Sequence, residues 1–333
     1  MNKNSRLANI DFLRALSIIF VVFYHYRPFY GDIIFSMGHY GVLLFFMVSG
    51  YCIQFSAESS SSGFEFLKKR WIRLLPSLAA VSILIYIFKN LFTEYNLKDH
   101  YLISFSDVLG TIVNLPLINL PEKIINRFGA GYGYSLPDGA YWSLIIEFQF
   151  YFVISFIMIL PKNIRIISQV LVVSLFTYFR ISKVNFFYEL SYFFPYFLIG
   201  ISFANEELLK KIALLLSSVI SIIIMRSYEV YNSSIPFDLN ATLIALFIFT
   251  FCVLFPKVFK KFGGFYTFVG IASYPLYLIH QHLGQKLLNY LGFYNDANLF
   301  KLFFVVVLFT FVSFLIHKLV ETPLQKKLKK WIA

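Results

Sequence analysis

The sequence predicts an all-α protein that crosses a membrane about ten times. Of its 333 residues 59% are hydrophobic and only 14% are charged, where soluble domains carry about a quarter charged residues. The apolar residues are gathered into long runs, and a run of about 17 to 25 crosses a bilayer core as a helix. The basic residues fall between those runs, as charges do in a chain threaded through lipid.

Taken in order, the segments are 9–27, 39–56, 75–92, 141–160, 164–181, 186–204, 210–226, 239–256, 266–286 and 299–318. Arg180, Lys183 and Glu189 crowd the junction of the fifth and sixth, which leaves room for a short loop. With the N-terminus in the cytoplasm, 18 of the 29 Lys and Arg residues fall on the inner side and ten on the outer, Arg14 lying within the first span. That bias places both termini inside, as an even number of crossings requires. The net charge of +12 therefore reads as orientation and contact with anionic lipid, and no basic-aromatic platform points to nucleic acid. The KKLKKW near the C-terminus reads as a cytoplasmic lipid anchor. The first apolar stretch is too long and too charged for a cleaved signal peptide. Cys52 and Cys252 read as packing residues, with no disulfide and no metal implied.

Two connections stand out. Residues 57–74 begin as a Ser/Gly linker and become a basic segment at the cytoplasmic surface. Residues 93–140 form the longest external loop, with Gly129, Gly131, Gly133 and Pro137 near its end.

The charged residues inside apolar runs are the candidates for chemistry, because such groups are costly in lipid and usually face a protein interior. Arg14 and His25 are eleven residues apart, about three turns plus 20°, so they share one stripe about 16 Å long; the alternative is that both snorkel to opposite interfaces. Arg70 and Arg73 share a helix face, either as a positive-inside signal or as guanidinium forks for phosphate. Glu147 lies about two turns into a span entering from outside, where it is expected to pair with His25 and set its proton affinity, or to be a structural partner of another cation. Tyr277 and His280 share a face that Tyr274 extends, either as an interfacial aromatic belt or as a polar acceptor wall. Glu321 closes the last span and is expected beside one of the arginines of 57–74. No GxSxG, HExxH, Walker loop, GxGxxG after a strand or DxD motif is present.

These residues lie in motifs that resemble the integral-membrane type-3 acyltransferases. Asp11-Phe12-Leu13-Arg14 running to His25, Phe45-Phe46 with Ser49-Gly50, and Lys69-Arg70 with Arg73 resemble that family's opening. Trp142-Ser143-Leu144 with Glu147 and Phe150-Tyr151, then Ser273-Tyr274 with Leu276-Tyr277-Leu278 and His280, and finally Glu321 with Pro323, follow in the family's order. Pro275 and Phe148 depart from its pattern. The resemblance covers 9–323 of a single domain spanning 1–333, leaves 324–333 as a basic tail, and leaves no room for the soluble domain of longer relatives.

What the resemblance implies is an O-acyltransferase of the bacterial inner membrane. It would move an acyl group, most simply acetyl, from cytoplasmic acyl-CoA to a sugar hydroxyl of a surface polysaccharide such as an O-antigen or exopolysaccharide. Acetyl-CoA is then a co-substrate, with no permanently bound cofactor and no metal. In this reading Arg14, Arg70 and Arg73 hold the donor, and His25 and Glu147 are catalytic. Tyr277, His280, Trp142, Asp11 and Glu321 support the acceptor side or the frame. The competing reading is a transporter of a lipid-linked sugar or acyl carrier that breaks no bond; a weaker third is a sugar polymerase or glycosyltransferase.

Overall fold

The computed structural model describes residues 8–26, 38–91, 104–114, 137–184, 187–232, 239–260, 263–292 and 299–332. Among these residues all regular structure is helical. The first helices are α1 (Ala8–Tyr26), α2 (Gly41–Glu58), α3 (Gly63–Leu91) and the short α4 (Phe105–Asn114). They are followed by α5 (Trp142–Ile157), α6 (Arg165–Ile181), α7 (Tyr188–Ala204), α8 (Leu208–Asn232) and α9 (Leu239–Leu254). Then come α10 (Gly263–Tyr290) and α11 (Leu299–Ile316), which continues through a π turn (His317–Glu321) into α12 (Thr322–Ile332). A helix lies over each of the ten apolar segments. Among the described residues six helical stretches are long and apolar enough to cross a membrane: Ala8–Tyr26, Gly41–Glu58, Gly63–Lys89, Gly139–Ile157, Leu208–Tyr228 and Leu299–Trp331. Helix is the form lipid demands of an open chain, because every backbone N–H and C=O is satisfied within the segment.

The segment 57–74 differs from its expectation. Only a tight turn at Ser59–Ser62 separates α2 from α3, and Lys68 to Arg73 belong to α3 itself. Glu65 accepts from the Ser61 amide and hydroxyl, both at 2.6 Å, and its own amide donates to Ser62 Oγ, so the helix start is capped reciprocally. At about 1.5 Å per residue a 29-residue helix is roughly 44 Å long, well over the hydrocarbon thickness. Its basic first turns therefore extend past the apolar layer without a separate surface element. Most of 93–140, including Gly129, Gly131 and Gly133, lies outside the described residues; α4 and the turn at 137–140 are its described parts.

Burial sorts the helices into an inner and an outer set. The inner faces of α1, α2, α5, α7 and α10 hold fully buried side chains such as Leu13, Leu44, Phe150, Phe197 and Leu278. The outer helices turn apolar side chains outward instead: Leu171 on α6, Phe247 on α9 and Phe303 on α11 are 64%, 71% and 65% exposed. Apolar residues covering the outside are what lipid permits and water does not. Lipid also removes the hydrophobic drive between helices, so they are held by close packing and interhelical hydrogen bonds. Gly50 on α2 lies on the backbone of Phe197, and Gly200 on α7 lies on the backbone of Met47. A Cβ at either position would collide with main chain, so the α2–α7 crossing requires both glycines. Beside it Phe150 stacks on Phe197 at 4.0 Å and Phe46 packs on the same ring at 4.6 Å, tying α5 into the seam. Asn9 Nδ2 donates to the Cys252 carbonyl at 3.0 Å, and Thr177 meets Ser221 at 2.5 Å, joining α1 to α9 and α6 to α8.

Candidate functional site

An open cavity with about 700 Å³ of empty space, counted out to its mouth, lies between α1, α2, α3, α5 and α10. Its polar lining includes Arg14, Arg70 and Arg73, with Glu147, Ser49 and Tyr277. Three guanidiniums around one carboxylate leave the wall with an excess of positive charge.

Each group is placed by a short run of contacts. Arg14 projects from the second turn of α1, where Nη1 stands 4.0 Å from buried Asp11 and Nη2 donates to Cys52 Sγ at 3.3 Å. Asp11 thus supports Arg14 from below and does not line the cavity. Arg70 donates through Nη2 to Ser56 Oγ at 2.6 Å, and its Nε–H, buried in the wall, has no hydrogen-bond partner among the described residues. Arg73 lies one turn further along α3. Its carbonyl accepts from Gln325 Nε2 at 2.8 Å, and the same amide donates to Glu321 at 3.0 Å.

Glu321 was expected to pair directly with an arginine of the basic segment. Its partners are Ser77, which donates at 2.8 Å, and His317, whose Nδ1 lies at 3.2 Å; its link to Arg73 runs through Gln325. A π turn at 317–321 leads into α12, and the four-residue spacing of Glu321 and Gln325 presents both to α3. This turn is legible in the sequence only as the Pro two residues after Glu321.

Glu147 was expected beside His25. Its carboxylate instead accepts from Ser49 Oγ at 2.7 Å and from the Tyr151 hydroxyl one turn along α5. His25 sits at the other end of α1, where its ring centroid is 5.1 Å from that of His280 and its carbonyl accepts from Gln285 at 2.8 Å. The cavity reaches toward that pair through Tyr277. The Tyr277 hydroxyl donates to the Ala140 carbonyl at 2.5 Å and so accepts from Ser143 at 2.7 Å. The Tyr277 ring stands 5.6 Å from the ring of His280. His280 is fully buried behind it, and neither histidine is among the residues lining the cavity. Trp142 lies outside the cavity as well, 37% exposed and packed on Phe193 at 5.6 Å.

The structure therefore gathers Arg14, Arg70, Arg73, Glu147 and Tyr277 into one cavity, with Asp11, Glu321, His25 and His280 in contact with its walls or its neighbours. Three residues received no site role in the sequence reading. Cys52, read as packing, lines the cavity and takes a hydrogen bond from Arg14. Ser49 and Tyr151 hold Glu147, and the four-residue spacing of Glu147 and Tyr151 is the signal that points to the second. The departures Phe148 and Pro275 are both buried, Phe148 packing on Trp71 at 5.0 Å. Among the described residues no group of three His, Cys, Asp or Glu side chains is placed to hold a metal ion.

The arrangement is a cavity of net positive charge enclosed by apolar helices. Comparison with known proteins then gives the class: the chain belongs to the acyltransferase family, whose profile, described as "Acyltransferase domain", matches residues 7–318. It is similar to an "O-acetyl transferase" of Shigella phage Sf6, 27% identical over 222 residues, which covers 64% of this chain and 65% of that protein. It is also similar to "Nodulation protein 10" of Rhizobium leguminosarum bv. viciae, 29% identical over 158 residues, 43% of this chain and 42% of that one. The matched stretch spans less than two thirds of each relative's length. No solved structure matches.

Proposed function

We propose that this protein is a membrane O-acetyltransferase that takes an acyl group, most simply acetyl, from cytoplasmic acyl-CoA and places it on a hydroxyl of a surface polysaccharide. The observation that carries the proposal is the convergence of Arg14, Arg70 and Arg73 on one open cavity, with a buried Arg70 N–H still lacking an acceptor. Guanidinium forks match phosphate oxygens, and CoA carries its phosphates at the end remote from the thioester. Arg14 stands low on α1 and His25 eleven residues higher, which at about 1.5 Å per residue separates donor anchor and imidazole by roughly 16 Å along the axis. The flexible arm of CoA spans from one to the other.

The chemistry follows from an imidazole next to a thioester and a hydroxyl. In the direct route the sugar oxygen attacks the thioester carbonyl carbon while its proton passes to His25. The C–S bond then breaks, the CoA thiolate leaves, and the proton on His25 goes to that sulfur. In the two-step route His25 takes the acyl group first and the hydroxyl then removes it; the net balance is the same. Glu147, fixed by Ser49 and Tyr151, offers a carboxylate to the acceptor's hydroxyls within the cavity. The ten helices are read as ten crossings of a bacterial inner membrane with both termini in the cytoplasm. That orientation puts the arginine end of the cavity on the side where acyl-CoA is made.

The test is incubation of membranes carrying the protein with acetyl-labelled acetyl-CoA and polysaccharide extracted from cells lacking the gene. The expected result is label in the polysaccharide as an alkali-labile ester, with one free CoA thiol per ester. Intact thioester after long incubation would favour a carrier that breaks no bond.

A further inference from the structure

The basic stretch near the C-terminus is tied to the cavity by hydrogen bonds. α12 carries Lys326, Lys327, Lys329 and Lys330, and no acidic residue lies between Thr322 and Ile332. At about 100° per residue the four lysines fall within an arc of roughly 160°, and Leu324, Leu328 and Trp331 within roughly 60° on the other side. All four lysines are exposed, and no ion pair among the described residues engages them. Two of the three apolar side chains are exposed as well, Leu324 at 41% and Trp331 at 90%. An uncovered tryptophan beside lysines suits the depth of lipid headgroups and does not suit water. α12 follows the last apolar span, α11, after a single π turn, so it starts where that span leaves the hydrocarbon.

Gln325 lies between the two arcs and faces α3. Its Nε2 donates to the Arg73 carbonyl at 2.8 Å and to Glu321 at 3.0 Å, and Glu321 accepts from Ser77 at 2.8 Å. These contacts fall on a weak point of α3. Pro76 stands within that helix, and a proline has no N–H to return to the carbonyl four residues earlier, here that of Ile72. The turn that carries Arg70 and Arg73 therefore lacks one of its own bonds, and a side chain of α12 supplies one from outside. Arg70 and Arg73 both line the cavity. The placement of α12 thus bears on how their guanidiniums are presented.

We propose that α12 docks on an anionic lipid leaflet and that this docking, carried through Gln325 to the Arg73 turn, tightens donor binding in the cavity. The inference rests on the reading of the arginine cavity as the acyl-CoA site. Acidic headgroups draw the four lysines, while Leu324, Leu328 and Trp331 sink to the boundary between headgroups and acyl chains. A helix pinned on both sides in this way holds Gln325 against α3. On an uncharged leaflet only the narrow apolar face holds it, and the brace on the Arg73 turn loosens.

The test uses full-length protein in nanodiscs of phosphatidylcholine alone or mixed with phosphatidylglycerol. Equilibrium binding of labelled acetyl-CoA is measured beside acrylamide quenching of the Trp331 emission, taken as wild type minus Trp331→Phe. With phosphatidylglycerol present, Trp331 should become shielded and acetyl-CoA should bind about 3- to 10-fold more tightly, the worth of one hydrogen bond. A negative surface by itself repels CoA, so bulk charge does not produce such tightening. Lys326→Gln, Lys327→Gln, Lys329→Gln and Lys330→Gln combined should abolish both effects and match the wild type in uncharged lipid. Gln325→Met should keep the shielding and lose the tightening, which separates docking from the brace. Equal affinity in the two lipids, or tightening that survives Gln325→Met, would overturn the proposal. So would a Trp331 shielded in uncharged lipid and in detergent alike, which marks a protein partner or a second copy on that face. A lysine variant weaker than wild type without phosphatidylglycerol would mean that the lysines hold the CoA phosphates themselves, and would overturn it too. If the lysine variant does not fold, the wild type and Gln325→Met decide. No acetyl-CoA binding in either lipid would overturn the donor reading and the coupling with it, whereas binding that ignores the lipid removes only the coupling.

Discussion

In the proposed function Arg70 is the residue on which donor binding turns most sharply, because it lines the cavity and presents a buried N–H without an acceptor among the described residues. Arg70→Lys keeps the charge and loses the fork. One charge-assisted hydrogen bond is worth about 1.5–3 kcal/mol, so KM for acetyl-CoA is expected to rise about tenfold or more, with little change in kcat. An unchanged KM would return Arg70 to a purely topogenic role. Asp138 supplies a pH-dependent signature outside the spans. Burial pushes its carboxyl up to about 6 from the ordinary 3.8, against the pull of the His282 and Ala140 amides. The folded protein then holds this proton more tightly than the unfolded chain, so its contribution to stability is full below pH 3.8 and is lost as pH rises through about 6. Asp138→Asn has no such titration. The melting-temperature gap between wild type and variant should shrink from pH 4.5 toward pH 7.5, and a constant gap would contradict the burial argument. Arg14, Arg70, Arg73, Glu147 and Tyr277 were legible in the sequence because charge and paired polar groups stand out in apolar runs. The contacts of Ser49, Cys52 and Tyr151 were not, because such residues are ordinary in membrane helices and only tertiary packing turns them toward a cavity.

At the scale of elements, the length of the apolar runs located every long helix among the described residues, while the joints between them carried less signal. The basic stretch before the third span looked like a surface segment because hydropathy cannot distinguish a helix that continues past the lipid from one that ends there. In the described part of the crowded junction near Arg180 the helix ends in a tight turn. Val184 N–H bonds back to the Phe179 carbonyl at 2.9 Å, and Lys183 between them has φ 55°. That is the helix-ending position glycine usually fills. Lys183→Gly is accordingly expected to stabilise the protein by about 1 kcal/mol, read as a higher melting temperature in detergent; a lower one would mean that the lysine side chain contributes more than its backbone costs. The α2–α7 crossing makes the opposite prediction. Gly200→Val should prevent the close approach to Met47 and abolish accumulation of folded protein. Normal accumulation of that variant would show that the crossing tolerates separation.

For the whole molecule, orientation is the property that gives the cavity its meaning. In the proposed orientation, eighteen basic residues lie on the inner side against ten on the outer, with both termini in the cytoplasm. A fluorescent-protein fusion at the C-terminus should be bright and an alkaline-phosphatase fusion inactive; the reverse would put the arginines on the side without acyl-CoA. Arg14 and His25 stand at opposite ends of α1, and His280 packs beside His25. The sequence showed Arg14 and His25 as a shared stripe on α1 but not the surroundings of Glu147, which belongs with the hydroxyls of Ser49 and Tyr151 and not with the imidazole. The most direct measurement is proton NMR of the surface polysaccharide from cells whose sole copy of the gene carries His25→Ala, with the protein present at wild-type level. The proposed function requires the acetyl ester resonances to vanish; ester at wild-type content would contradict it.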